Sequence, residues 1–132
     1  MTLSELFDLR EKIESRVNQY WTYWSVSIFA VCGWMFTDAT AKPDGPTSIL
    51  IAIGLMAFFT ANLSVLKTAT ELAMSVKEEI ALKASDANFL SETFTTVLMK
   101  SDIKFRVQLT IALHLAVDLV LLFALLTIGH SS

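Results

Sequence analysis

Apolar residues fall in three long runs separated by mixed polar segments. Trp21–Phe36, Pro46–Leu66 and Val107–Gly129 together hold 60 residues and one formal charge, Asp118. A helix rises 1.5 Å per residue, so crossing about 30 Å of hydrocarbon takes about 20 apolar residues. The second and third runs meet that length. The first is shorter, but Tyr20, Trp21, Tyr23 and Trp24 crowd one end and Trp34 stands near the other. Aromatic belts at the two membrane surfaces have that placement. The pattern predicts three transmembrane helices, at about 20–37, 46–66 and 107–129. A cleavable leader is the competing reading of the first run, since Ala39-Thr40-Ala41 resembles an A-x-A cleavage site. The preceding segment argues against it, being long and slightly acidic, with Arg10, Lys12 and Arg16 against Glu5, Asp8, Glu11 and Glu14.

The polar segments carry helical periodicity of their own. Thr2-Leu3-Ser4-Glu5 fits a capping box, in which the Thr hydroxyl and Glu carboxylate satisfy free N–H groups at a helix start. Leu6, Leu9, Ile13, Val17 and Tyr20 then recur every three or four residues, and no Gly or Pro intervenes before Gly33. One helix should therefore run unbroken from about Leu3 into the membrane. The second span likewise continues past Leu66. Val65, Ala69, Leu72, Val76 and Ile80 keep helical spacing, and Glu79 and Lys83 are placed for an i,i+4 pair.

Ser85-Asp86-Ala87-Asn88 reads as a turn, after which Leu90, Phe94, Val97 and Leu98 restart the pattern, making 67–106 a helical hairpin. Leu3–Gln19, Lys67–Lys83 and Ala87–Arg106 would each reach roughly 25–30 Å. Three rods of similar reach, each with one apolar stripe, can cover one another. The expected architecture is an all-α membrane protein, a single domain over 1–132, with three spans extended into a cytoplasmic three-helix stalk.

Orientation follows from basic residues in the short loops. Arg10, Lys12 and Arg16 precede the first span, and Lys67, Lys77, Lys83, Lys100, Lys104 and Arg106 lie between the second and third. Only Lys42 falls on the other side. The N-terminus should be cytoplasmic and the C-terminus outside. The compact format points to a bacterial inner (plasma) membrane.

Composition narrows the function classes. Of 132 residues, 54% are hydrophobic and 17% charged, against about 45–50% and about 25% in ordinary soluble domains. A soluble enzyme core, a disordered tail and a secreted disulfide scaffold are excluded, Cys32 being the only cysteine. It reads most simply as a small apolar packing residue. No Gly-rich phosphate loop, H-E-x-x-H or G-x-S-x-G occurs. His114 and Asp118 make only two candidate metal ligands, with His130 at the far end of the run. The chain is expected to be non-enzymatic, without cofactor or metal, and with no nucleic-acid partner.

Chemistry concentrates on the third run. A charge near the bilayer centre costs about 2.5–3.5 kcal/mol on insertion scales and marks a functional site by default. Asp118 lies eleven residues past Val107, about 16 Å in. His114 is one turn away on the same face and Thr110 one turn further, while the opposite face carries Ala112 and Ala116. The second run adds small residues at Gly54, Ala57 and Ala61, and polar ones at Thr60 and Asn62. Small residues let helices approach closely, so Gly54, Ala57, Ala61, Ala112 and Ala116 are candidate packing positions.

Asp118, His114, Thr110, Asn62 and Thr60 are candidates for an ion pathway or intramembrane polar contact. Two demanding faces on one helix exceed what a lone three-helix bundle covers, which predicts self-association in the bilayer. The expected function is a homo-oligomeric ion- or proton-conducting channel. The alternative is a non-catalytic accessory or scaffold subunit docked to another membrane protein.

Overall fold

The computed structural model describes residues 1–37, 43–86, 91–94, 96 and 105–131, and among these it is helical with no strand. The first helix, α1, spans Leu3–Met35 without a break. Its capping box is formed: Thr2 N–H donates to Glu5 Oε2 at 2.7 Å, and Glu5 N–H donates to Thr2 Oγ1 at 3.2 Å. That hydrogen bonding, led by the Thr2 backbone N–H, holds the Glu5 carboxyl below its ordinary range. At the other end Phe36 N–H closes on Cys32 O at 3.1 Å.

The second helix, α2, spans Gly45–Ser85. Asp44 caps it by accepting from Thr47 N–H at 2.9 Å, and Pro46 sits in the first turn, where the missing N–H would have no intrahelical partner anyway. At 41 residues it reaches about 60 Å, so the apolar run and the amphipathic extension are one rod. The third helix, α3, spans Arg106–Ser131.

The central rod is α2, which packs along both neighbours, whereas α1 and α3 meet at few points. Two cores result. One joins α1 and α2 through Leu6, Ile13, Ala73, Val76 and Ile80. The other joins all three helices through Trp24, Phe59 and Leu121.

The apolar stripe of the α2 extension is rotated from its expected position. Leu66, Thr70, Ala73, Val76, Ile80 and Ala84 are buried, while Val65 and Leu72 are 42% and 51% exposed. Thr70 permits that rotation. Its hydroxyl donates to Leu66 O at 2.7 Å, so it enters the core with its proton satisfied, whereas apolarity alone assigns it to the surface. The i,i+4 pair on this helix is Lys67–Glu71, at 3.8 Å. Lys83 does not pair with Glu79; it lies near enough to Glu5 of α1 to help depress that carboxyl.

Two helices are long and apolar enough to cross a bilayer, α2 and residues Arg106–Ile128 of α3. The run expected to be the first span is not among them: Trp21–Met35 of α1 would rise only about 22 Å, and Thr22, Tyr23, Ser25 and Ser27 dilute its apolar residues. The outer surface is inverted relative to a water-soluble bundle: Phe29 is 75% exposed, Val120 69% and Phe123 73%.

Of the expected return helix, Leu90, Val97 and Leu98 lie outside the described residues, as do Ala87 and Asn88 of the turn. Phe94 falls in a helical stretch at 92–94 and sets its ring 6.5 Å from that of Phe7.

Candidate functional site

Four-residue spacing on α3 stacks Arg106, Thr110, His114 and Asp118 on one face, since residues i and i+4 are neighbours along a helix. Thr110, His114 and Asp118 are all buried, the imidazole completely. At the start of the row Arg106 makes a two-pronged contact with Glu14 of α1, Nη1 donating to Oε1 at 2.7 Å and Nη2 to Oε2 at 2.6 Å. Such fork-to-fork pairs are the stronger kind of ion pair. At the other end, Asp118 is held from two sides. Trp24 Nε1 of α1 donates to its Oδ1 at 2.7 Å, and His114 Nδ1 meets its Oδ2.

The third helix joins through Asn62, whose Nδ2 lies 3.2 Å from His114 Nε2. With the amide donating, Nε2 is the acceptor, which leaves the ring proton on Nδ1 facing the carboxylate. The arrangement Trp24–Asp118–His114–Asn62 thus crosses all three helices, with His114 Nδ1 close against Asp118 Oδ2 but outside hydrogen-bonding geometry. Aromatic rings enclose the imidazole: Trp24 at 5.0 Å between centroids, Phe59 at 6.2 Å and Trp21 at 6.4 Å. Water-excluding walls of this kind strengthen each electrostatic contact inside them.

Past Asp118 the buried face of α3 turns apolar, with Leu121 and Leu125 closing it. The next buried polar side chain toward that end is Ser48 of α2, whose hydroxyl has no hydrogen-bond partner. The polar row is therefore one-sided, running from the Glu14–Arg106 end to Asp118 and stopping there.

Of the residues singled out in the sequence, the structure brings Asp118, His114 and Asn62 into contact and places Thr110 one turn along the same buried face. Thr60 stands apart from the network. It is exposed, and its hydroxyl donates to Met56 O at 2.8 Å. It does line a groove of about 280 Å³ between α2 and α3 in which Asp118 also appears. Gly54, Ala57, Ala61, Ala112 and Ala116 lie on exposed faces, and a Cβ built on Gly54 would meet nothing within 4 Å.

Trp24 escaped the sequence reading, which placed it in an interfacial belt. Its signal was the stripe itself: the buried positions of α1 are Leu6, Ile13, Val17 and Trp24, so stepping two turns on from Val17 reaches it. Glu14 likewise stands in the sequence only as one of four acids ahead of the first apolar run. Among the described residues, no group of three or more His, Cys, Asp or Glu side chains could hold a metal ion. Comparison with protein families, curated sequences and solved structures finds no match for this chain, so the reading of the site rests on its own geometry.

Proposed function

We propose that the chain is a small integral membrane protein whose three helices cross the bilayer, and that its homo-oligomer conducts protons through the Asp118–His114 pair. The observation that carries this reading is the stacked row on one face of α3, from part-exposed Arg106 through buried Thr110 and His114 to Asp118, ending at a titratable pair. An imidazole against a carboxylate can exchange a proton with it, while Asn62, which does not titrate, only orients the ring. A metal cation is served less well, because it needs several oxygen ligands and only Asp118 and Thr60 offer side-chain oxygens to the adjoining groove.

The contacts between helices also support α1 as a span. Arg106 is level with Glu14, and Asp118 is level with Trp24. If α3 crosses, the length of α1 beside it crosses too. Counted past Arg16, residues 17–35 of α1 give about 28 Å, close to the hydrocarbon thickness that Trp21–Met35 alone falls short of. The excess of Lys and Arg at the Glu14–Arg106 end sets that end in the cytoplasm, with the apolar plug of Leu121 and Leu125 toward the outside of a bacterial inner membrane.

The test is reconstitution into proteoliposomes with an internal pH-sensitive dye and a potassium diffusion potential. The wild-type chain should acidify or alkalinise the lumen on demand. The Asp118→Asn variant should assemble equally and lose at least about tenfold in flux, equivalent to roughly 1.4 kcal/mol on the barrier. Unchanged flux in Asp118→Asn would sink the reading.

One observation favours a second reading, the accessory or scaffold subunit. Both carboxylate oxygens of Asp118 already have partners within the chain, so the pair could serve to fix the register of three helices. A stoichiometric membrane partner recovered after mild solubilisation, together with absent flux, would favour it.

A further inference from the structure

A second groove lies between α1 and α2 and takes no residue from the polar row. It holds about 270 Å³, with Arg16 and Tyr20 of α1 on one wall and Ser64, Val65, Thr68 and Leu72 of α2 on the other. Arg16 is the last formal charge on α1 before its apolar run, and Lys67 is the first on α2 after its own. The groove thus marks one level on both helices, where charged chain gives way to apolar chain. Arg16 is exposed, and neither its guanidinium nor the Ser64 hydroxyl has an ion-pair or hydrogen-bond partner among the described residues. No acidic side chain among those residues lines the groove. From Val65 the same face of α2 continues at three- and four-residue steps through Ala61, Ala57 and Gly54, all exposed. That stretch rises about 16 Å, half of a hydrocarbon core of about 30 Å.

We propose that this groove holds an anionic phospholipid of the cytoplasmic leaflet, its phosphate at Arg16 and Ser64 and one acyl chain laid along Ala61, Ala57 and Gly54. A guanidinium presents a planar fork of donors that matches phosphate oxygens, and the Ser64 hydroxyl adds a donor beside it. Thr68 adds none, since its proton is committed to Ser64 O at 3.0 Å. Tyr20 stands where an amphipathic ring belongs, between headgroup and hydrocarbon. The small side chains beyond leave room for a chain that reaches half-way across the bilayer, as a lipid of one leaflet does. A cation would meet Arg16, and a free phosphate would leave the exposed apolar surface of Val65 and Leu72 unused. A zwitterionic headgroup brings its own cation to compete with the guanidinium. The inference rests on the membrane reading with α1 as a span, but not on conduction.

The experiment is native mass spectrometry of the full chain released from micelles that hold equal amounts of dioleoylphosphatidylglycerol and dioleoylphosphatidylcholine. The wild-type chain should retain the anionic lipid over the zwitterionic one by about fivefold. Arg16→Gln should bring the two near parity. Lys67→Gln removes the same charge at the same level but outside the groove, and should keep the preference. Val65→Trp, which keeps every charge and fills the groove from its exposed side, should lower retention of the anionic lipid at unchanged oligomer mass. Parity in the wild-type chain overturns the proposal. So do equal losses in Arg16→Gln and Lys67→Gln, which would mean attraction by a diffuse field. Displacement of the lipid by soluble glycerophosphoglycerol would give the site to a free phosphate ligand instead, and loss of the oligomer in Val65→Trp would give the groove to a second copy. A chain outside the membrane should retain neither lipid, whereas failure of this site alone leaves both retained equally. Flux plays no part in the readout, so conduction stands or falls separately.

Discussion

Trp24 and Asp118 stand 94 residues apart and are joined by a hydrogen bond of 2.7 Å, indole N–H to carboxylate Oδ1. The bond ties α1 to α3 where these two helices otherwise meet little. It also supplies a donor to an acid in apolar surroundings, where an unpaired acceptor carries its full desolvation cost.

Trp24→Phe keeps an aromatic ring but removes the indole donor together with the second ring that carries it. It should destabilise the chain by about 1–2 kcal/mol, read as a lower midpoint in mixed-micelle unfolding. Trp21→Phe, at a ring that flanks His114 without contacting the carboxylate, should change the midpoint little. Equal effects from the two substitutions would show that ring packing, not the hydrogen bond, holds α1 in place.

The imidazole and the carboxylate should behave as one unit. His114 is fully buried, and its nitrogens face Asn62 and Asp118, so removing either titratable partner leaves the other short of one. In a cycle of His114→Ala, Asp118→Ala and the double variant, the double should be less destabilised than the sum of the singles. The coupling should fall at about 0.5–3 kcal/mol. Additive losses would mean the two residues make no mutual contact that matters for folding.

Much of this architecture was legible because two periodic signals agree. The capping box at Thr2 and Glu5, the unbroken run to Met35 and the continuation of α2 past Leu66 all follow from local chemistry in the chain. Asp118 and His114 stood out because one turn separates them on a helix with almost no other polar residue. What was not legible depends on the neighbour each helix chooses. Trp24 is as reasonable at a membrane surface as in a core until α3 is known to lie beside it. The burial of Thr70 in place of Leu72 follows from how α2 rotates against α1. The level at which α1 meets α3 likewise depends on the Glu14–Arg106 contact, which no periodicity announces.

That Glu14–Arg106 pair should anchor α1 against α3. Its side chains are 28% and 21% exposed, intermediate between a surface pair and a buried one. Glu14→Gln should cost about 1 kcal/mol and weaken α1–α3 proximity measured by cross-linking. The exchange Glu14→Arg with Arg106→Glu should recover more than half of that loss. A swap no better than the single variant would assign the anchoring to packing rather than to charge.

At the start of α1, the Glu5 carboxyl is held below its ordinary value of 4.5, chiefly by the hydrogen bond from the Thr2 backbone N–H and then by the Thr2 hydroxyl. A depressed carboxyl contributes stability that is fully present above its unfolded value and is lost as pH falls through the folded one. The first turn should therefore hold at neutral pH and loosen in acid, below 4.5. The amide nitrogen and proton shifts of Thr2 report this directly, because that N–H donates to Glu5 Oε2. Their acid titration should show a midpoint below 4.5 in the wild-type chain and vanish in Glu5→Gln. In Thr2→Ala, which removes the hydroxyl acceptor of Glu5 N–H, the Glu5 midpoint should move back toward its ordinary value. A wild-type midpoint at or above that value would mean the box is open.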